Sequence, residues 1–349
     1  MVGKIRQYFS DRKDDVRDFG GGSVVGKFLL VVVVLYLLVT MVLGMIWSSE
    51  PEVYSVREHA RSVANETQRE PITGFATTVT MIRLAETLLE KPGGYLSNDI
   101  FPPGVWLDNM PNWEFGVLVQ LRDFARAMRQ EISRSQSQSA EDPDLIIAEP
   151  QFNFDSSSWA IPSTEAEYRR GIKALKSYLD RLSNPDQPKA QFFARADNLA
   201  NWLTNLESRL GSLSRTLGES VGKASVSDAV SNINPDNPLM EEALGEEVKT
   251  PWTKIDDVFY EARGSSWALL HLFKAIEVDF REVLVDKNAM SSVKQVIIEL
   301  EGAQRGMWSP MVLNGNGYGV LANHSLTMAA YLSRASAAIS DMRDLLSRG

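Results

Sequence analysis

Residues 28–47 read FLLVVVVLYLLVTMVLGMIW, twenty residues without a charge. At about 1.5 Å of rise per residue, a helix of that length spans a hydrocarbon core of ~30 Å. Fourteen of the twenty are Leu, Ile, Val or Phe. At roughly −0.3 to −0.6 kcal/mol each, these favour insertion by about 4 to 8 kcal/mol. A helix of a soluble protein keeps a polar face over such a length. A cleaved signal peptide has an apolar core of about 7–15 residues followed by a small-x-small site. Here Met45, Ile46 and Trp47 stand where small residues would be needed. The sequence therefore predicts a retained transmembrane helix over 24–47, with a cleaved signal as the alternative.

The flanks give an orientation. Lys4, Arg6, Arg12, Lys13, Arg17 and Lys27 precede the apolar run, whereas only Arg57 and Arg61 occur in the twenty residues after it. By the positive-inside rule, residues 1–23 form a short cytoplasmic tail and the bulk is translocated. Membrane lipid is then the expected partner of residues 28–47, with Trp47 at the outer boundary. Thr40, Gly44 and Ser48 repeat every four residues, a spacing that lets two such helices approach and form a homo-oligomer. Ordinary small residues in a span are the simpler explanation.

The chain carries 45 acidic and 36 basic side chains, net −9. Residues 1–47 hold +2 of that balance and the remainder −11. An acidic body does not suit nucleic acid, which selects clustered Lys and Arg. It also does not suit lying flat on anionic lipid. There is no cysteine, which rules out disulfides, thiolate zinc sites and thiol nucleophiles.

Beyond the apolar run, hydrophobic residues recur at steps of four and three. Phe192, Ala196, Leu199, Leu203, Leu206, Leu210, Leu213 and Leu217 form the longest series, the seam of a helix with coiled-coil-like packing. Tyr168, Ile172, Leu175, Leu179 and Leu182 repeat the spacing, with Thr164 and Glu167 as a capping box. Asn184-Pro185-Asp186-Gln187-Pro188 interrupts the two and predicts an antiparallel hairpin. Leu118, Leu121, Ala125, Met128 and Ile132 mark another helix, fraying into the Ser/Gln tract 133–139. Ile255, Phe259, Ala262, Ser266, Leu269, Phe273, Ile276, Phe280 and Val283 mark a further one, with His271 opposite its seam and so expected in solvent. The last runs Leu321, Ser325, Met328, Leu332, Ala335, Ile339, Met342, Leu346. Residues 72–91 read as helix stopped by Pro92-Gly93-Gly94. Ile146–Phe154 is the best strand candidate. The fold class is mainly α: one transmembrane helix followed by an extracytoplasmic bundle of long antiparallel helices. Residues 48–223 form one helical region and 251–349 a second packing on the same body. The acidic 224–250 segment, with its Asn234-Pro235-Asp236-Asn237-Pro238 turn, links them.

No HExxH, paired His, GxSxG or P-loop occurs, so no metal and no cofactor is expected. Of the histidines, His59 lies in a charged stretch and is expected to be exposed. Two segments break the helical pattern: 92–115 (PGGYLSNDIFPPGVWLDNMPNWEF) and 305–324 (RGMWSPMVLNGNGYGVLANH). Aromatic faces beside amide and carboxylate groups suit a polar ring such as a sugar. The candidate ligand-binding residues are Tyr95, Trp106, Asp108, Trp113, Trp308, Asn316, Tyr318 and His324. The plainer reading is that these aromatics plug the ends of a bundle. Asp99 with Asp108 or Glu114 would be the carboxylate pair of a glycan-acting enzyme.

FPPGVWLDNMPNWEFGVLVQLRDFAR and NGNGYGVLANHSLTMAAYLSRASAAISDMRDLL, together with the N-terminal apolar helix, resemble an uncharacterised family of proteobacterial membrane proteins, domain of unknown function 2333. The resemblance covers nearly the whole chain. It implies a Gram-negative inner membrane and a periplasmic body, and it carries over no catalytic residue. The sequence reading is thus a membrane-anchored periplasmic protein that acts by binding. Its expected partners are envelope proteins or wall glycan. The alternatives are an envelope glycan- or peptidoglycan-acting enzyme, and a transmembrane signalling or scaffolding subunit.

Overall fold

One helix, Ile255–Asp279, runs through the middle of the body, and every residue from Ala262 to Phe273 is buried. The computed structural model describes residues 24–135, 140–184, 190–221, 250–307, 309, 311–315 and 320–348. In chain order its α-helices are α1 (Val24–Trp47), α2 (Val56–Thr67), α3 (Phe75–Glu90), α4 (Asn109–Ala127), α5 (Pro143–Phe152), α6 (Thr164–Leu182), α7 (Ala196–Glu219), α8 (Ile255–Asp279), α9 (Arg281–Asp286), α10 (Met290–Ala303) and α11 (His324–Ser347). Among the described residues the only β-type pairing is an isolated bridge between Asn314 and Asn323. The chain is mainly helical, as the periodicities predict.

Helix α8 is covered by α2, α3, α4, α7, α10 and α11. That is why His271 is fully buried rather than solvent-facing. Its Nδ1–H donates to Trp267 O (2.7 Å), and Nε2 accepts the Tyr54 amide (3.2 Å). The Tyr54 ring stacks on it at 4.0 Å. Burial, with the Lys274 and Arg83 charges, lowers its pKa to about 3. His59 is half-buried beside Tyr54. The last residue of α8, Asp279, accepts the Thr77 amide at 2.7 Å and so caps α3, which has no side-chain cap of its own.

The Leu199–Leu217 seam of α7 is buried against α11, whose Met328, Leu332, Ala335, Ile339, Met342 and Leu346 face it. Leu321 precedes α11 and is exposed. The expected α6–α7 hairpin does not form: α6 lies on α5 and α3 while α7 lies on α11. The connection explains this, because residues 190–195 run outside any helix. There Phe193 donates its amide to Ile132 O (2.7 Å), carrying the chain across the body.

The strand expected at 146–154 is instead α5. Asp142 accepts the amides of Asp144 and Leu145, and Pro143 occupies the first helical position. That start signal outweighs the short apolar run. The cap of α6 is Ser163, one residue earlier than expected. Thr164 Oγ1 instead donates to Asp155 O and Ser158 O. The 1–23 tail, and the acidic linker apart from Thr250, lie outside the described residues.

Candidate functional site

Segment 92–115 is held by a buried carboxylate. Glu114, in the second turn of α4, accepts the amides of Leu96 (2.8 Å) and Ser97 (2.9 Å), the Ser97 hydroxyl, and Lys91 Nζ at 2.6 Å. Both partners of the ion pair are buried. Burial pushes the Glu114 pKa up, while the ammonium and the N–H and O–H donors pull it down. Both oxygens are engaged, so releasing this carboxylate for acid–base work would dismantle the turn it holds. Tyr95 is buried edge-on to Tyr168, and its hydroxyl donates to Ser156 O (3.0 Å). Trp113 is buried with its ring 5.2 Å from Trp267. Neither ring offers a free face. Asp108 caps α4 by accepting the Asn109 amide at 2.9 Å. The Asp99 carboxyl packs over Gly104, and partial burial and Glu165 raise its pKa. Trp106 is 58% exposed.

Of the second segment, Trp308, Asn316 and Tyr318 lie outside the described residues. His324 opens α11, and its Nδ1 accepts the Leu313 amide at 2.9 Å while its own amide donates to Leu313 O at 2.8 Å. Asn323 caps the helix through the Leu326 amide and ties Gly315 O. Partial burial and the Arg263 charge lower the His324 pKa. A neutral imidazole with its proton on Nε2 fits that pattern. Beside it opens a mostly apolar cavity of about 330 Å³, between Phe259 and Arg263 of α8, the end of α10, Met307, and Thr327 and Tyr331 of α11. The Arg263 guanidinium is spoken for by both Glu50 oxygens (2.8 and 2.5 Å) and by the carbonyls of Ala303 and Arg305. The cavity therefore favours an apolar or aromatic group over an anion.

The described parts of both segments border the first turns of α8, but on different faces of it. Asn112 bonds Asp257 at 2.7 Å and Gly264 lies on Trp113, whereas His324 approaches Phe259 at 6.2 Å. Tyr95, Trp106, Asp108 and Trp113 do not line the cavity at His324. Among the described residues no cluster of three His, Asp or Glu side chains is placed to hold a metal.

Segment 92–115 also carries an apolar surface that the helical periodicities do not mark. Ile100, Phe101, Val105 and Trp106 are all exposed, Phe101 at 74%. They belong to IFPPGVWL, residues 100–107, an uncharged run bounded by Asp99 and Asp108. That run was the available signal. The loop sits against α1: a Cβ on Gly44 would meet Pro103 at 3.7 Å and Leu107 at 3.9 Å, and the Trp47 ring packs on Gly93. Thr40 and Gly44, one turn apart, are buried in α1, while residues 26–39 are exposed throughout. Of the small-residue face noted in the sequence, Gly44 thus receives a loop of the same chain, while Ser48 is exposed.

A family model described as an uncharacterized protein conserved in bacteria, DUF2333, matches residues 22–349. No curated protein and no solved structure matches the chain.

Proposed function

We propose that this chain, which belongs to the bacterial DUF2333 family, is a single-pass inner-membrane protein whose helical body sits in the periplasm and acts by binding other envelope proteins. The observation that carries the reading is the contrast between α1 and the rest. Gly26–Trp47 has a mean hydropathy of 3.0, yet only 6% of its apolar window is buried inside the protein. So apolar a surface needs lipid around it. Retention rather than cleavage is supported by the packing of Trp47 on Gly93 and of Gly44 on Pro103 and Leu107. Processing of α1 would strip the body of those contacts. The basic residues before α1 support a cytoplasmic N-terminus.

A binding role, rather than chemistry, is supported by the commitments of the polar candidates. Glu114 holds its own loop, His324 Nδ1 holds Leu313, and Arg263 is neutralised by Glu50. The cavity at His324 is suited to an apolar side chain from a partner. The glycan-acting alternative needs the two segments to share one site, and Tyr95, Trp106, Asp108 and Trp113 do not line the cavity at His324.

The absence of cysteine gives a clean test. Ser291→Cys on the exposed face of α10 is expected to react with a membrane-impermeant maleimide in cells with a permeabilised outer membrane. Ser10→Cys is expected to react only after lysis. The opposite labelling pattern rejects the topology. For the binding role, crosslinked membranes are expected to return a reproducible set of envelope proteins that Thr327→Trp, which fills the cavity, depletes. An unchanged set with Thr327→Trp rejects the cavity as the contact.

A further inference from the structure

We infer that the 100–107 loop is a second membrane element, lying in the outer leaflet at the boundary between headgroups and acyl chains, beside the end of α1. The inference rests on α1 being a span, and adds a specific lipid contact made by the body.

Pro103 and Leu107 reach Gly44, three residues before Trp47. At ~1.5 Å per residue, that is about 4–5 Å inward from the end of the apolar run. Any bilayer that covers α1 to Trp47 must meet a loop lodged at that depth. Interfacial elements sit about 5–10 Å into this boundary.

Ile100, Phe101, Val105 and Trp106 are exposed together, without a charge among residues 100–107. A contiguous apolar patch of this kind is costly in water and marks a contact surface. An aromatic at its edge suits the interface, where one side of the ring is apolar and the other wet. The acidic residues stay at the ends of the loop, Asp108 as the cap of α4 and Asp99 folded over Gly104. With no Lys or Arg in the loop, binding draws on apolar area and not on anionic lipid.

Segment 95–98 is pinned by Glu114, by Tyr95 on Ser156 O, and by Asn98 on Ser158 O (2.9 Å). The presented face is therefore fixed on the body, and Pro103 and Leu107 set it against Gly44 of α1. The 155–163 loop, tied through Ser158 O, carries two further exposed apolar side chains, Trp159 at 63% and Ile161 fully so.

The test uses the full chain in liposomes of neutral phospholipid, with single cysteines carrying an environment-sensitive fluorophore. Phe101→Cys and Val105→Cys replace exposed side chains, so the core is untouched. The fluorophore at position 101 is expected to be quenched at least twofold more by lipids spin-labelled near the headgroup than one at Ser291→Cys. Aqueous iodide is expected to do the reverse. Replacing a third of the lipid by an anionic one is expected to leave the result unchanged. Val33→Cys controls for the span. If position 33 is quenched by lipids labelled near the bilayer centre but position 101 answers only to iodide, the loop is in water and this inference fails while the anchor stands. If position 101 is shielded from both quenchers, a protein surface covers the loop and the inference also fails. If position 33 escapes lipid quenching, the anchor reading itself is lost.

Discussion

The crossing of α4 on α8 and the seam between α7 and α11 are both long helix contacts, built from opposite materials. In the seam, leucines of α7 meet Met, Leu, Ala and Ile of α11, and the helices run antiparallel, with Ser214 near Ala329 and Glu207 paired to Arg343. Side chains fill the space. In the crossing, glycines stand where the backbones touch. A Cβ on Gly264 would lie 1.9 Å from Trp113 O, and one on Gly116 would lie 2.1 Å from Glu261 O. Ser265 Oγ donates to Gly116 O across the contact at 3.2 Å. The two helices run in the same direction, since Asn112 meets Asp257 at their starts and Phe124 and Phe273 both touch Trp202 further along. The bulk lies beside the touching backbones, where the Trp113 and Trp267 rings pack. A seam of leucines can relax around a lost methyl group. Two backbones in contact have nothing to move.

The largest effect should separate these designs directly. Gly264→Ala places a methyl group inside a carbonyl, a clash only a shift of α4 can relieve, and is expected to cost about 4 kcal/mol or more. Leu210→Ala in the seam leaves a cavity and is expected to cost about 3 kcal/mol. Denaturant unfolding in detergent or nanodiscs reads both. If Gly264→Ala proves milder than Leu210→Ala, backbone contact is not what holds α4 to α8.

The same contrast explains what the sequence reveals. The α7 and α11 seams are legible because leucines at steps of four and three report their own burial. The crossing is not, because glycine and serine inside a helix read as weak propensity rather than as close approach. His271 was misplaced for that reason: a one-sided seam puts it in solvent, but the small residues Gly264, Ser265, Ser266 and Ala268 let a second layer of helices close over α8. Within the candidate site, Met110, Trp113, Val117, Leu121, Phe124 and Met128 continue a four-and-three spacing that marks Trp113 as core. Its aromatic character drew attention to ligand binding instead. The role of Trp106 depends on where α1 ends relative to the loop, which no local pattern encodes.

Acid should weaken the α8 core through a group the seam lacks. His271 is buried, with its pKa lowered to about 3, against about 6.5 in the unfolded chain. Between those values the unfolded state binds the proton and the folded state does not. Stability from this residue is therefore complete above pH 6.5 and falls with decreasing pH, by about 1.4 kcal/mol per unit. At pH 5 the loss is about 2 kcal/mol. His271→Gln, which cannot take up the proton, is expected to be less stable at pH 7.5 but to show a pH dependence shallower by one proton between pH 6 and 4. Equal slopes for the two proteins would mean that His271 is solvated and titrates alike in both states.

The smallest effect belongs to the rim of the seam. Arg343 of α11 pairs with Glu207 of α7, and both side chains are about 30% exposed. Ion pairs at this exposure gain little Coulomb energy in water, lose side-chain entropy and are screened by salt. Arg343→Gln is expected to cost at most about 0.5 kcal/mol at low salt and nothing measurable at 0.5 M. A loss of 2 kcal/mol that persists in high salt would show that this pair, rather than the leucines beneath it, sets the register of α7 on α11. The seam would then share with the α4–α8 crossing a dependence on a few fixed contacts.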